Sequence, residues 1–188
     1  AYRLISIPVD ADNKNPGAIL VDDLGAYDNT KWRFYELKAD QTYVEYGSTS
    51  TITPGKSFWL ITKDAGKIID SGPGKSNLTD KPFPIPINPG WTFIGNPFNF
   101  DIPFAKLSRK SGGVMDIRYY NGSWATAATS LIPFEGYAVA NTTANVDTIL
   151  VDPQIGIVTP KSSLANTANV LWSINISAEC QEAKDADN

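Results

Sequence analysis

The sequence predicts an all-β fold, made of two homologous β-sandwich-like units in tandem with one or two short helices and an extra strand near the C-terminus. Two observations carry this. Short runs of Ile, Val, Tyr, Phe and Trp are punctuated by 13 prolines and 14 glycines, the pattern of strands bounded by turns. The stretch Pro89-Gly90-Trp91-Thr92-Phe93-Ile94-Gly95-Asn96-Pro97-Phe98 also restarts a pattern first met at Tyr2-Arg3-Leu4-Ile5-Ser6-Ile7-Pro8-Val9. Later positions then match in order: Arg33-Phe34-Tyr35 with Arg118-Tyr119-Tyr120, Pro54–Leu60 with Pro133–Val139, and Ile68-Ile69-Asp70 with Leu150-Val151-Asp152. The spacing of matched positions falls from 89 residues (Pro8 to Pro97) to 79 (Pro54 to Pro133), as when surface loops change length and strands do not. The expected organisation is a first β unit at 1–70, a Pro/Gly-rich connector at 71–89, a second β unit at 90–152, and a linker with a terminal strand and acidic tail at 153–188.

In the first unit, Leu4–Val9 is a strand that Pro8 ends or confines to an edge, because proline cannot donate to a ladder. Ala18–Leu24 is the candidate helix. Lys31–Leu37 alternates, with Trp32 and Phe34 on one face and Arg33, Tyr35 and Leu37 on the other, and Thr42–Tyr46 is its hairpin partner. The turn Pro54-Gly55 leads into a strand over Ser57–Thr62, and Lys67–Asp70 closes the unit. The connector, with Pro73, Pro82, Pro84, Pro86 and Pro89, is expected to be extended and stiff.

In the second unit, Asp101–Ser108 stands in the place of the short helix, with Pro103 tolerated in a first turn. Ile117–Tyr120, Asn121-Gly122 and Ser123–Thr126 read as a hairpin with a two-residue type I′ turn. Thr148–Val151 closes this unit. After a Ser/Thr/Asn-rich stretch, Val170–Ser177 is a last strand, with Trp172, Ile174 and Ile176 on one face and no partner strand evident within the chain.

On these motifs, over about Tyr2–Asp152, the chain resembles the repeated β-modules of large secreted, multidomain surface proteins of Bacteroidetes, Ignavibacteria and related bacteria. The residues from Trp172 onward resemble the start of a following module. The resemblance implies an extracellular or cell-surface location and no activity of the module's own.

Composition narrows the chemistry. With no histidine among 188 residues, Ser-His-Asp and Cys-His arrangements, His-liganded zinc and His bases are excluded. A net charge of -4 disfavours nucleic acid and anionic membrane, which need concentrated Lys and Arg. No apolar run is long enough to span a bilayer. The single cysteine, Cys180, has no internal partner, and a first residue of Ala rather than Met is expected of a processed protein or an excised piece.

Carboxylate pairs among Glu36, Glu45, Glu135 and the aspartates are the remaining route to hydrolysis, but acids across a hairpin are ordinarily a solvated face. No metal or cofactor is expected. The weak metal candidates are Asp10 and Asp12 in an Asx-rich loop, whose side chains ordinarily stabilise their own turns. Trp32, Tyr35, Tyr43 and Tyr46 in the first unit and Tyr119, Tyr120 and Trp124 in the second are the candidate platforms for stacking on a ligand. Recurrence of Tyr35 at Tyr120 and of Phe34 at Tyr119 favours packing at those positions, whereas Trp124 has no counterpart. The expectation is a non-catalytic extracellular structural or adhesive module. It assembles with neighbouring copies or flanking domains through Trp172, Ile174 and Ile176. The alternative is a carbohydrate-binding module that takes glycans on its aromatic residues.

Overall fold

A computed structural model describes residues 2–126 and 129–154, and the backbone of Ile176–Glu179 and Lys184–Asp187. Strands dominate, with one α-helix among the described residues. In chain order they are β1 (Tyr2–Ser6), β2 (Val9–Ala11), α1 (Pro16–Leu24), β3 (Trp32–Leu37), β4 (Tyr43–Glu45), β5 (Ser57–Thr62), β6 (Gly74–Ser76), β7 (Phe83–Ile87), β8 (Gly90–Gly95), β9 (Ile102–Pro103), β10 (Leu107–Arg109), β11 (Asp116–Tyr120), β12 (Trp124–Thr126), β13 (Ser130–Leu131), β14 (Gly136–Asn141) and β15 (Asp147–Val151). Residues 1–155 form one compact unit. In the other, β16 (Ile176–Glu179) pairs antiparallel with β17 (Lys184–Asp187). The end of the terminal strand thus has a partner within the chain, contrary to the sequence reading. Trp172 and Ile174 lie outside the described residues.

The helix forms where seven residues of sequence suggested it, extended at its start. Asn15 caps it by accepting the Gly17 N–H at 2.8 Å, Pro16 opens it, and Gly25, at φ +80°, ends it by donating to the Val21 carbonyl. Its Ile19, Leu20 and Leu24 bury against Trp32, Phe34, Phe58 and Leu60 on one face of a four-stranded antiparallel sheet, β1-β5-β3-β4. A second four-stranded sheet runs β8-β14-β11-β12. Numbered in chain order within each sheet, both have the spatial order first, fourth, second, third.

The second sheet is covered by strands instead of a helix. Ile94, Ile117, Tyr137 and Val139 share a core with Ile85, Ile87, Ile149 and Val151 of a three-stranded sheet, β10-β15-β7. The helix expected at Asp101–Ser108 is replaced by β9, a single 3₁₀ turn at Phe104–Lys106, and β10. Pro103 there is extended, with ψ 141°, and Phe104 donates to the Thr129 carbonyl. The Pro-rich connector is extended as expected, and part of it is a working strand. Pro84 and Pro86 sit opposite Leu150 and Thr148 on the edge strand β7, where their missing N–H groups interrupt no inner ladder. The closing strand expected at Lys67–Asp70 is absent. β15 has β10 and β7 on either side, whereas residues 67–70 have neither, and Ile68 is 85% exposed.

The two four-stranded sheets join through matched positions. Ile5 bridges Glu135 and Lys56 bridges Ile94. Ser6 N–H donates to Phe134 O, and Gly95 N–H donates to Gly55 O, both at 3.0 Å. Phe134 and Gly55 both have positive φ, +66° and +84°. Asn77 Nδ2 donates to the carbonyls of both Pro8 and Pro97. Each of these contacts becomes its partner when the sequence-matched residues are exchanged. Close approach is possible because Gly95 and Gly136 face Ser6 and Ser57; a Cβ on Gly95 would stand 2.1 Å from Ser6 Cβ.

Candidate functional site

The junction leaves a cleft of about 460 Å³ beside it, lined by Leu37, Gln41, Tyr43, Trp91, Phe93, Arg118, Trp124 and Ala138. Strand alternation dictates this lining. The residues of β8, β11 and β14 that enter their core are Ile94, Ile117, Tyr137 and Val139, so Trp91, Phe93, Arg118 and Ala138 point the other way. Toward the first sheet, Leu4, Phe93 and Ala138 are buried together with Leu37 and Trp59 packed on them.

The walls are aromatic. Trp59 meets Tyr120 edge-on at 4.9 Å between centroids, Trp124 at 5.7 Å and Phe93 at 6.0 Å. Tyr120 and Trp124 lie 5.5 Å apart, and Tyr43 lies 6.1 Å from Phe93. These edge-on and tilted geometries hold the rings in fixed orientations. Trp91 remains 40% exposed, Trp124 44% and Tyr43 54%. The room between them has a specific origin: Ala138 occupies the position matched to Trp59, so a methyl stands in the second sheet where the first carries an indole.

Polar groups close the cleft. Gln41, itself at φ +68°, donates from Nε2 to Pro89 O at 3.2 Å and Trp91 O at 3.0 Å, and accepts the Trp91 N–H at 2.8 Å. It ties the β3–β4 turn to the start of β8. Gly90 is required beneath it, since a Cβ there would stand 2.7 Å from Gln41 Cδ. Arg118 grips Asp116 with two bonds, Nε to Oδ1 at 2.6 Å and Nη2 to Oδ2 at 3.0 Å. The hydrogen bond from Arg118 holds the Asp116 carboxyl below its ordinary range. No carboxylate and no Ser, Thr, Cys or Lys side chain is among the lining residues.

Of the residues singled out from sequence, Tyr43 and Trp124 line the cleft, whereas Tyr46 stacks on Tyr27 against the first core. Tyr120 and Trp124 are brought together, 5.5 Å apart. They share a face because the hairpin loop has three residues, Asn121 to Ser123, with Tyr120 opposite Trp124. The two-residue turn expected from Asn-Gly would have set Tyr119 opposite Trp124, and a one-residue slip exchanges faces. Only Gly122 takes positive φ, +112°. Tyr119 packs instead on the second core. Trp32 is 2% exposed, donating its Nε1–H to Gly25 O at 3.2 Å, and offers no platform. Tyr35 shares Trp59's face by register but lies outside the cleft lining, with the Arg33 guanidinium 4.9 Å from its ring.

Asp10 is paired with Lys14 at 2.6 Å, and exposed Asp12 does not join it in a ligand cluster; the acidic trio within 4.8 Å among the described residues is Asp22, Asp23 and Asp70. The sequence reading did not single out Trp59, Trp91, Phe93 and Gln41 for the site. The alternation Trp91-x-Phe93 was a legible signal, whereas nothing local marks Gln41. No helix among the described residues is long and apolar enough to cross a membrane. Comparison with protein-family models, curated proteins and solved structures finds no match for the chain.

Proposed function

We propose that the chain is a non-catalytic extracellular contact module, built from two copies of one unit, and that its aromatic cleft binds a saccharide. The observation that carries this is the meeting of Trp91, Trp124 and Tyr43, each two-fifths or more exposed, around a cleft lined also by Arg118, which is paired with Asp116. Indole and phenol faces stack on the C–H faces of sugar rings, and a neutral pair of donor and acceptor matches vicinal hydroxyls. The ligand class is a neutral glycan. Arg118, the one charged lining residue, is already neutralised by Asp116, and the chain is acidic overall. The duplication is supported by the shared strand order and the exchange of matched contacts, and the extracellular location by the resemblance to secreted surface modules. With no carboxylate in the lining to serve as acid or base, the geometry favours retention over turnover.

Affinity electrophoresis and calorimetry against soluble neutral and uronic polysaccharides test this reading. Ala138→Trp, which fills the cleft, is expected to abolish retention, and Trp91→Ala to weaken it by at least about tenfold, or about 1.4 kcal/mol. Both should keep the wild-type circular dichroism spectrum. Undiminished retention by folded Ala138→Trp, or the absence of retention by the wild type on every glycan, overturns it.

A further inference from the structure

Among the described residues of the first half no strand stands where β7 stands in the second, and the matched positions there line a groove. In the second half β7 rests on three neighbours. Phe83 pairs with Val151 and Ile85 with Ile149, and both pack over Gly55, where a Cβ would lie 3.1 Å from Phe83 Cε1 and 3.0 Å from Ile85 Cγ1. The positions matched to Val151, Ile149 and Gly55 are Ile69, Lys67 and Phe134. All three line a single groove of about 450 Å³, whose floor includes Ile5, Ile7 and Leu60. Phe134 is 51% exposed there, although its matched Gly55 is covered by β7. Residues 67–70, with no such neighbour among the described residues, form no strand.

We infer that this groove accepts an extended strand from a second copy of the chain, and that the donor is Trp172–Ile176. The pattern aromatic-x-Ile-x-Ile occurs twice in the sequence, at Phe83-Pro84-Ile85-Pro86-Ile87 and at Trp172-Ser173-Ile174-Asn175-Ile176. The first occurrence is β7 itself. In the second, Ser and Asn replace the prolines, so every residue keeps its N–H for pairing. Charge agrees as well. Arg3 and Lys67 line the groove, and Glu179, Glu182, Asp185 and Asp187 follow the donor. An acceptor built from the first 70 residues and Phe134, and a donor beyond residue 170, make a head-to-tail contact that propagates into open chains. This inference is independent of the glycan reading, since groove and cleft have no lining residue in common.

The test is sedimentation velocity on the full chain over a hundredfold range of concentration. Wild type is expected to associate with rising concentration. Ile174→Asp, which spoils the donor, and Ile69→Asp, which spoils the acceptor, are each expected to be monomeric. Mixing the two variants should restore a one-to-one dimer, because each keeps the surface the other lost. A synthetic peptide of residues 170–178 should compete with assembly, and its Ile174→Asp version should require at least about tenfold more. The peptide comparison also serves if Ile69→Asp fails to fold. Wild type that stays monomeric, association that survives both substitutions, or a mixture of folded variants that stays monomeric overturns the inference. A monomer closed by its own strand would appear as the first of these.

Discussion

Substituting Gly95→Ala probes the junction on which the cleft depends. The added methyl would lie 2.1 Å from Ser6 Cβ, 2.6 Å from Ser6 Oγ and 2.9 Å from the Lys56 carbonyl. The last is backbone in a bridged segment, so the strands themselves must separate. Overpacking in a tight core costs about 1–3 kcal/mol, and the rigid neighbours place this site at the upper end, about 3 kcal/mol. For a chain of this size that corresponds to a fall of about 6–12 °C in melting temperature. Gly136→Ala is the comparison. Its methyl would meet Leu4 Cγ and Ser57 Cβ at 2.7 Å and Ser57 Oγ at 2.8 Å; Ser57 Cβ is held by its backbone, but the overlap is less than the 2.1 Å approach at Gly95 and no backbone oxygen is met, so its cost should be smaller.

Ser6→Gly removes the two shortest contacts but loses the Ser6 Oγ–Glu135 O bond of 2.7 Å, worth about 1 kcal/mol, and adds a strand glycine at about 0.5–1 kcal/mol. The double variant Ser6→Gly/Gly95→Ala should therefore be less destabilised than the sum of the singles by about 1–2 kcal/mol. Thermal and urea unfolding of the four proteins measures the cycle. Additive effects, or a Gly95→Ala melting temperature within about 1 °C of wild type, would refute the reasoning that two sheets touch here through missing side chains.

Two further outcomes follow from the same structure. Glu45 accepts hydrogen bonds from Arg33 first and Tyr27 second, which lower its pKa from 4.5 to about 2. Its stabilising effect is complete above the unfolded value and is lost as pH falls from about 4.5 toward 2, so Glu45→Gln should flatten the melting-temperature profile across that window and leave its shape at pH 6–8 unchanged. Asn96 is wholly buried and donates Nδ2 to Phe100 O at 2.7 Å and Leu131 O at 2.8 Å while accepting the Phe98 N–H. Asn96→Asp cannot supply both donors, and unfolding in urea should show a loss of about 2–4 kcal/mol at pH 7.

The fold class was legible because it rests on local rules. Period-two alternation marked Trp32 and Phe34 as one face and Arg33 and Tyr35 as the other, and the structure buries the first pair in the helix-backed core. The helix was legible through its apolar residues from Ala18 onward, while its Asn15 cap and Pro16 start were not read. The Asn121-Gly122 hairpin was located from sequence while its loop length was not, and that single residue decides whether Tyr119 or Tyr120 stands beside Trp124. The Lys67–Asp70 segment resembles the closing strand of the second unit, but a strand needs a neighbour to bond, and none flanks it among the described residues.

By itself the sequence determined strand content, the exclusion of histidine chemistry and the matching of positions between halves, since each depends on residue identity and short-range periodicity. The cleft was decided by tertiary structure. Gln41 and Trp91 are 50 residues apart and meet through two hydrogen bonds, with a third from Gln41 to the Pro89 carbonyl just before β8. Trp59 and Trp124 approach only because glycines let two sheets touch. Ala138 reads as an ordinary small residue until the junction sets it opposite the first sheet and its missing volume becomes a binding space. Such contacts depend on which strand surfaces come together, which no short window of sequence encodes.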